Sequence, residues 1–147
     1  MKNMNTKMLT VTFLLLLSGN GFVFGEEPEV IREYWDNGKL RTEFHYKNKS
    51  PTVWTWYYKT GVKQSVERWK DGKRVKTTNY SKSGGKLIEY QYKKGELFSQ
   101  TNFYPTGLKK SIKHFKNGIE HGIRKEWNED GKKTFQGNFV DGVEEIK

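Results

Sequence analysis

The sequence has no cysteine and only 3 prolines in 147 residues. Without cysteine there is no disulfide framework, no thiolate nucleophile and no cysteine-based zinc site. Hydrophobic residues make up only 33% of the chain and charged residues 30%, a balance that by itself favours disorder. The length suits one domain.

Rings and glycines are abundant. The chain has 5 Trp, 8 Tyr, 9 Phe and 15 Gly. Aromatic side chains carry a large apolar area per residue, which opposes the disorder that the low aliphatic content favours. Many rings and glycines with few prolines and aliphatic residues predict a thin, turn-rich β structure without a thick two-layer core.

The first residues have the layout of a secretory signal peptide. Lys2 and Lys7 form a short positive segment before an apolar run over residues 8–17. Val23 and Gly25 occupy the −3 and −1 positions before a cleavage site. The apolar run is shorter than the roughly 20 residues that a membrane span needs. We therefore predict a signal peptide over residues 1–25 and a mature, exported chain over 26–147, in the periplasm, at the cell surface or in the medium. Loss of the two lysines lowers the net charge from +10 to 25 − 17 = +8.

The remainder of the chain is an internal repeat, a pattern best sought before any strand or helix is assigned. It aligns on five turn glycines with spacings of 23, 23, 23 and 24 residues: Gly38, Gly61, Gly84, Gly107 and Gly131. Four residues before each lies a pre-turn ring: Tyr34, Tyr57, Tyr80, Phe103 and Trp127. Eight residues after each lies a post-turn ring: Tyr46, Trp69, Tyr92, Phe115 and Phe139. A second glycine follows eleven residues after the first in every unit except the first, which has Lys49 there.

The local pattern within each unit predicts a β-hairpin. Asn-Gly and Asp-Gly pairs such as Asp71-Gly72 and Asn117-Gly118 supply the positive φ of tight hairpin turns. The runs between turns are short, and apolar residues alternate with polar ones, as in residues 40–47. The sequence therefore predicts an all-β fold. Residues 26–147 form one elongated, single-sheet antiparallel meander of tandem hairpins, with five units and about ten strands. We expect the pre-turn and post-turn rings to form the structural core of the repeat as a ladder on one face.

These residues resemble the MORN-repeat variant found in many bacterial proteins. The best matches are Tyr34-Trp35-Asp36-Asn37-Gly38-Lys39-Leu40 and the last unit, from Gly118 through Gly122 and Trp127 to Phe139. The resemblance covers about residues 30–142 and implies a repeat fold with a scaffolding or binding habit and no chemistry. Some relatives are labelled antitoxin-like, of the YwqK type, which leaves an antitoxin-like role as an alternative. A second resemblance, to the cell-wall-binding repeats of Gram-positive surface proteins, rests on residues 53–58 and the following Thr60-Gly61 turn.

The sequence contains no recognisable catalytic motif. His45, His114 and His121 lack metal-ligand spacing, and there is no G-x-S-x-G, phosphate-binding glycine loop or H-E-x-x-H. We therefore expect no enzyme activity, no catalytic residues, no cofactor and no metal.

The candidate binding residues are the rings that do not recur in every unit: Trp35, Trp54, Trp56, Tyr58 and Tyr104. Regular alternation predicts that Trp54, Trp56 and Tyr58 point away from the face of Tyr57. Exposed aromatic patches often mark binding surfaces. The alternative is that this second face is also buried, under the N-terminal segment or by curling of the sheet.

The basic excess allows two interpretations. Lysines cluster at turns and strand ends, where they block edge-to-edge aggregation of sheets; they would also attract an anionic membrane or wall polymer. Export disfavours a nucleic-acid partner. The sequence therefore predicts an exported, non-enzymatic binding or scaffold module at the cell envelope. Its partner is another protein or an anionic envelope surface, and its oligomeric state is open.

Overall fold

The computed structural model describes residues 28–146, so the predicted signal peptide lies outside the described residues. Within this range the chain is all strand and turn without a helix, which confirms the predicted all-β hairpin meander. The strands are β1 (Glu29–Tyr34), β2 (Leu40–Lys47), β3 (Ser50–Tyr57), β4 (Lys63–Lys70), β5 (Lys73–Tyr80), β6 (Lys86–Lys93), β7 (Glu96–Phe103), β8 (Lys109–Lys116), β9 (Ile119–Glu120), β10 (Gly122–Trp127), β11 (Lys133–Val140) and β12 (Val143–Glu144).

All strands pair antiparallel, each with its neighbour in the chain, in the order β1 to β8, then β10, β11 and β12, while the two-residue β9 pairs with β8. The described sheet has twelve strands, more than the ten expected from the repeat. One extra strand arises because His121 separates β9 from β10, and the other is the two-residue β12. The substantial contacts between described strands join neighbours in the sheet, so the architecture is one open layer.

The turns follow the predicted chemistry. At one edge, two-residue turns have both central residues at positive φ, as in Asp71 (51°) and Gly72 (70°), which is the type I′ geometry that matches the twist of hairpin strands. In the first unit Asn48 and Lys49 adopt φ of 50° and 59°, so Lys49 takes the left-handed conformation that glycine has in the other units. At the opposite edge, the turn-glycine N–H groups donate to the carbonyls three residues earlier, as in Gly38 to Trp35 at 3.0 Å.

The two ring sets lie on opposite faces of the sheet, so the expectation of one ladder on one face is wrong. Tyr46 pairs with Pro51, but Thr52 is an extra residue on β3, and the register shift it causes lies beside Tyr46. One extra residue reverses the side-chain alternation. As a result Tyr57 lies with Glu43, whose charge acts on the Tyr57 hydroxyl, whereas Tyr46 lies against Trp54. The same kind of shift recurs in the next two units, after Arg68 and after Gln91.

We name the two surfaces the Glu43 face and the Trp54 face. A row of directly paired residues follows the Trp54 face across the sheet: Thr42, Trp56, Ser65, Asn79, Ile88, Asn102, Ser111, Glu126 and Phe135. The equivalent row on the Glu43 face is Arg32, Glu43, Thr55, Val66, Thr78, Glu89, Thr101, Ile112, Lys125 and Gln136.

Burial in this sheet falls on small side chains more than on rings. Among the described residues the buried apolar side chains are only Val66 and Phe139, and the buried polar ones are Thr42, Thr55, Thr77, Thr78, Ser99 and Ser111. Most rings of both sets are half-buried, and Tyr34 is 47% exposed. Since one layer has no interior, long side chains are stabilised by lying over short cross-strand neighbours.

Two glutamates on the Glu43 face are each held by two basic side chains. Glu43 accepts from Arg32 Nε and His45 Nε2, both at 2.7 Å. Glu89 lies 3.0 Å from Lys76 Nζ and 3.3 Å from Lys86 Nζ. Burial acts to raise the pKa of both carboxyls, but hydrogen bonds from these neighbours together outweigh it, so both pKa values lie below the usual range. Burial, and then the charge of Glu43, raises the pKa of Tyr57.

The lowered pKa values of Glu43 and Glu89 predict an acid-dependent loss of stability. Because the folded pKa lies below the unfolded value of about 4.3, their contribution is complete above that value and is lost as the pH falls through the folded pKa. We expect the free energy of unfolding, measured with urea, to fall between about pH 5 and pH 3, and to fall less steeply in Glu43→Gln/Glu89→Gln. Glu33→Gln, at an exposed position on β1, should keep the wild-type slope. Equal slopes in the double variant and the wild type would contradict the prediction.

Candidate functional site

Five rings form a continuous cluster on the Trp54 face, which we name the ring cluster: Phe44, Tyr46, Trp54, Trp56 and Trp69. Trp54 lies at its centre, with its ring centroid 4.9 Å from that of Trp69 and 5.3 Å from that of Phe44. The cluster spans three adjacent strands, β2, β3 and β4, and each ring in it is half-buried.

The geometry of the cluster follows from strand pairing. Trp54 pairs with Phe44 on β2, and Trp56 pairs with Thr42, whose short side chain is buried. The rings meet in tilted or edge-to-face arrangements, between 49° and 79°, which are the orientations that the ring quadrupole favours. The indole N–H groups of Trp54 and Trp69 are buried and have no hydrogen-bond partner in the described structure. The cluster therefore presents apolar ring surface with little polar character.

The five sequence-predicted binding residues separate into two groups. Trp54 and Trp56 lie in the ring cluster, on the face away from Tyr57 as expected. Trp35, Tyr58 and Tyr104 instead lie in the turns at one edge of the sheet. Sequence reasoning assigned Tyr46 and Trp69 to the repeat core and left Phe44 out, although Phe44 alternates with Tyr46 along β2 in the pattern of one face.

Trp35, Tyr58 and Tyr104 each connect one repeat to the next. Trp35 Nε1 donates to the carbonyl of Tyr57 at 3.2 Å, Tyr58 Oη to that of Tyr80 at 2.9 Å, and Tyr104 Oη to that of Trp127 at 2.8 Å. In every case the acceptor is the pre-turn ring residue of the following unit.

In the two units without a ring three residues before the turn glycine, the side chain at that position forms a different hydrogen bond. The Ser81 hydroxyl accepts from the Gly85 N–H at 3.1 Å, and the Asn128 side-chain oxygen accepts from the Lys132 N–H at 2.9 Å. Each of these short side chains stabilises its own turn and does not reach the next unit. The turn rings Trp35, Tyr58 and Tyr104 thus link each repeat to the next by a hydrogen bond. The ring cluster is the candidate binding surface.

Cations lie over several rings outside the cluster. Arg41 lies 5.0 Å and Lys59 5.4 Å from the ring centre of Trp35, and Arg74 lies 4.5 Å from that of Tyr92. Such contacts stabilise the cation and cover the ring. Arg74 also donates to Glu67 at 2.9 Å, and Glu67 is the residue of β4 that pairs with Trp54. The ring cluster therefore has a charged border.

The described part of the chain shows no helix long and apolar enough to span a membrane. Within residues 28–146, no three His, Asp or Glu side chains lie close enough together to hold a metal ion.

The family model for the MORN repeat variant matches residues 30–48 and 120–141. This chain is similar to the MORN repeat variant over these two stretches. The two matched stretches lie in the first and last units, and the units between them continue the same ring and glycine spacing. No curated protein matches the chain in sequence. The antitoxin-like role that the resemblance suggests stays a prediction.

Solved structures match part of this repeat sheet at low identity. A mutant of S. aureus TarM, in complex with fondaparinux, alpha-GlcNAc-glycerol and UDP, is 10% identical over 63% of this chain and 19% of that chain, with a TM-score of 0.48. The structure of accessory secretory protein 1, 2 and 3 of Streptococcus pneumoniae is 12% identical over 66% of this chain and 18% of that chain, with a TM-score of 0.47. The Gap123 complex of Streptococcus agalactiae, a glycosylation-associated protein, is 14% identical over 76% of this chain and 21% of that chain, with a TM-score of 0.48. The chain thus spans 18–21% of each of these longer chains.

The hydrogen bond from Tyr58 to the next repeat predicts an effect on stability. Tyr58→Phe keeps the ring and removes only the bond to the Tyr80 carbonyl, so we expect a loss of about 1 kcal/mol in the free energy of unfolding by urea. Tyr34→Phe removes a hydroxyl that forms no bond to the next repeat, so it should change the free energy of unfolding by no more than about 0.5 kcal/mol. Equal losses in the two variants would show that the bond to the next repeat is not what stabilises the turn.

Proposed function

We propose that this MORN-variant chain is an exported, non-enzymatic module that binds another protein through its ring cluster at the cell envelope. The observation that supports this proposal is the contact of five half-buried rings on one face of a single-layer sheet. Trp and Tyr dominate the binding energy of protein interfaces because they bury much area at low entropic cost.

The charge of the chain suggests the kind of partner. With a net charge of +8 in the mature chain and Arg74 bound to Glu67 at the border of the ring cluster, a protein with apolar side chains inside an acidic rim complements this surface. An aromatic centre inside a charged border is the usual arrangement of protein interfaces. Strands that pair in a rigid ladder hold the rings in place before binding, which lowers the entropic cost of association.

The proposal predicts that Trp54→Ala/Trp56→Ala abolishes partner capture without unfolding the chain. The two indoles provide the centre of the cluster, and hot-spot truncations cost more than about 2 kcal/mol, or at least tenfold in affinity. The measurement is crosslinking and affinity capture from envelope extracts, followed by titration of the captured protein. The intact mass of the cell-derived chain should correspond to an N-terminus at Glu26.

Tyr34→Ala is the matched control, since it removes an exposed ring from the opposite face. Circular dichroism and urea unfolding of each variant separate loss of binding from loss of fold. Capture that is unchanged by the double variant, or equally weakened by Tyr34→Ala, would overturn the proposal. Retention of residues 1–25 on a cytoplasmic protein would overturn its exported part.

A second candidate function is electrostatic binding of an anionic membrane or wall polymer. The observation that favours it is a row of exposed lysines along the hairpin-turn edge: Lys47, Lys70, Lys73, Lys94 and Lys116. Successive units place these lysines about 10 Å apart, because each unit adds two strands at 4.7–4.9 Å spacing. Binding to anionic vesicles or teichoic-acid-type polymers would weaken steeply with salt and would survive Trp54→Ala/Trp56→Ala. Salt-independent or absent binding would exclude this candidate.

A further inference from the structure

A cleft of about 390 Å³ opens at the other end of the Trp54 face, away from the ring cluster. Its floor is Ser111 on β8 and Glu126 on β10, which belong to the same cross-sheet row as Trp56. One wall is Tyr104 with its turn, and the opposite wall includes Thr134 on β11. This volume is in the range of small-ligand sites, which is about 300–1,000 Å³.

The cleft carries more charge than a usual apolar pocket, because four of its nine lining residues are charged. Lys110, Lys113, Arg124 and Glu126 all line it. Lys113 Nζ lies 3.2 Å from Glu120, and Arg124 Nε donates to Glu126 at 2.8 Å. The Arg124–Glu126 pair presents donor and acceptor side by side within the lining, which suits the hydroxyl groups of a polyol, because each hydroxyl both donates and accepts.

Arg124 is held in position before any ligand arrives. Its guanidinium carbon lies 5.5 Å from the ring centre of Phe135 and 5.6 Å from that of Phe139. Gly137 separates these two rings on β11, and a Cβ there would meet Glu144 Oε1 and lie 2.8 Å from Phe135 Cζ, so a larger residue would displace these two side chains. A side chain fixed by rings and by a carboxylate pays little entropy on binding a ligand.

Lys110 differs from the other two cations of the cleft. Within residues 28–146 it has no carboxylate partner, and its Nζ lies 5.5 Å from the ring centre of Tyr104. The Tyr104 ring is itself fixed, because its hydroxyl donates to the Trp127 carbonyl at 2.8 Å. The cleft thus combines a fixed flat ring, paired donors and acceptors, and one cation available for an anion.

We propose that this cleft binds an acidic sugar, with Lys110 on the carboxylate. The ring of Tyr104 holds the Lys110 ammonium in place, and the Arg124–Glu126 pair binds ring hydroxyls of the sugar. This second site is formed by strands other than those of the ring cluster and does not depend on the protein-binding proposal.

The test is titration of the full chain with D-glucuronate at low salt, followed by calorimetry and by amide chemical shifts. We expect saturable binding, with shifts concentrated at residues 104–113 and 124–134, and at least tenfold weaker binding of D-glucose and of acetate. Lys110→Gln should weaken glucuronate binding about tenfold, the value of roughly one charge-assisted hydrogen bond. Lys109→Gln is the matched control, since Lys109 is the exposed neighbour outside the cleft lining.

Each outcome decides the proposal. Equal affinity for acetate means adsorption of any anion, equal affinity for glucose means that Lys110 takes no part, and the absence of saturable binding removes the site; each of these overturns it. An equal loss in Lys109→Gln would reduce the effect to net charge and also overturn it. Trp54→Ala/Trp56→Ala should leave glucuronate binding unchanged, which separates this site from the ring cluster.

Discussion

A sheet of one layer has no interior, and the rest of this structure depends on that constraint. Each strand can bury its side chains only against the strands beside it, so stability has to come from cross-strand neighbours on two open faces. Short hydroxyl side chains such as Thr42 and Thr55 occupy the buried positions, and half-buried rings lie around them. Such a repeat array gains stability unit by unit, through contacts between nearest neighbours.

The same constraint explains the hydrogen bonds of the turn rings and the ion pairs. Turn rings such as Tyr58 form bonds to the backbone of the next unit, and Glu43 and Glu89 each bind basic side chains from their own or adjacent strands. In a protein with a thick core these contacts would be minor additions to apolar burial. In a single layer they are a larger share of what stabilises each hairpin and holds one repeat to the next.

A layer with two open faces also offers two surfaces for binding without additional domains. The Trp54 face carries apolar rings at one end and a charged cleft at the other, so its two ends suit ligands of different chemistry. The Glu43 face carries paired charges in its cross-sheet row. Units that share one backbone arrangement therefore differ in the side chains that they present on each face.

Much of this frame could be predicted from residues close together in the chain. The glycine spacing, the type I′ turns and the alternation in residues 40–47 depend on local backbone preferences, so they predicted the hairpins and their order. Candidate site residues were harder: Trp54 and Trp56 were found because they do not recur, whereas Phe44 and Trp69 join them only through pairing with other strands.

The sequence by itself determined the repeat, the strands, the turns and the excess of rings and lysines, because each follows from local geometry and composition. Only the tertiary structure decided which face each ring occupies. One extra residue at Thr52 reverses the alternation and places Tyr46 and Tyr57 on opposite sides. The bond from Tyr58 to the Tyr80 carbonyl joins residues 22 positions apart, and such a pairing exists only once strands from successive units lie side by side.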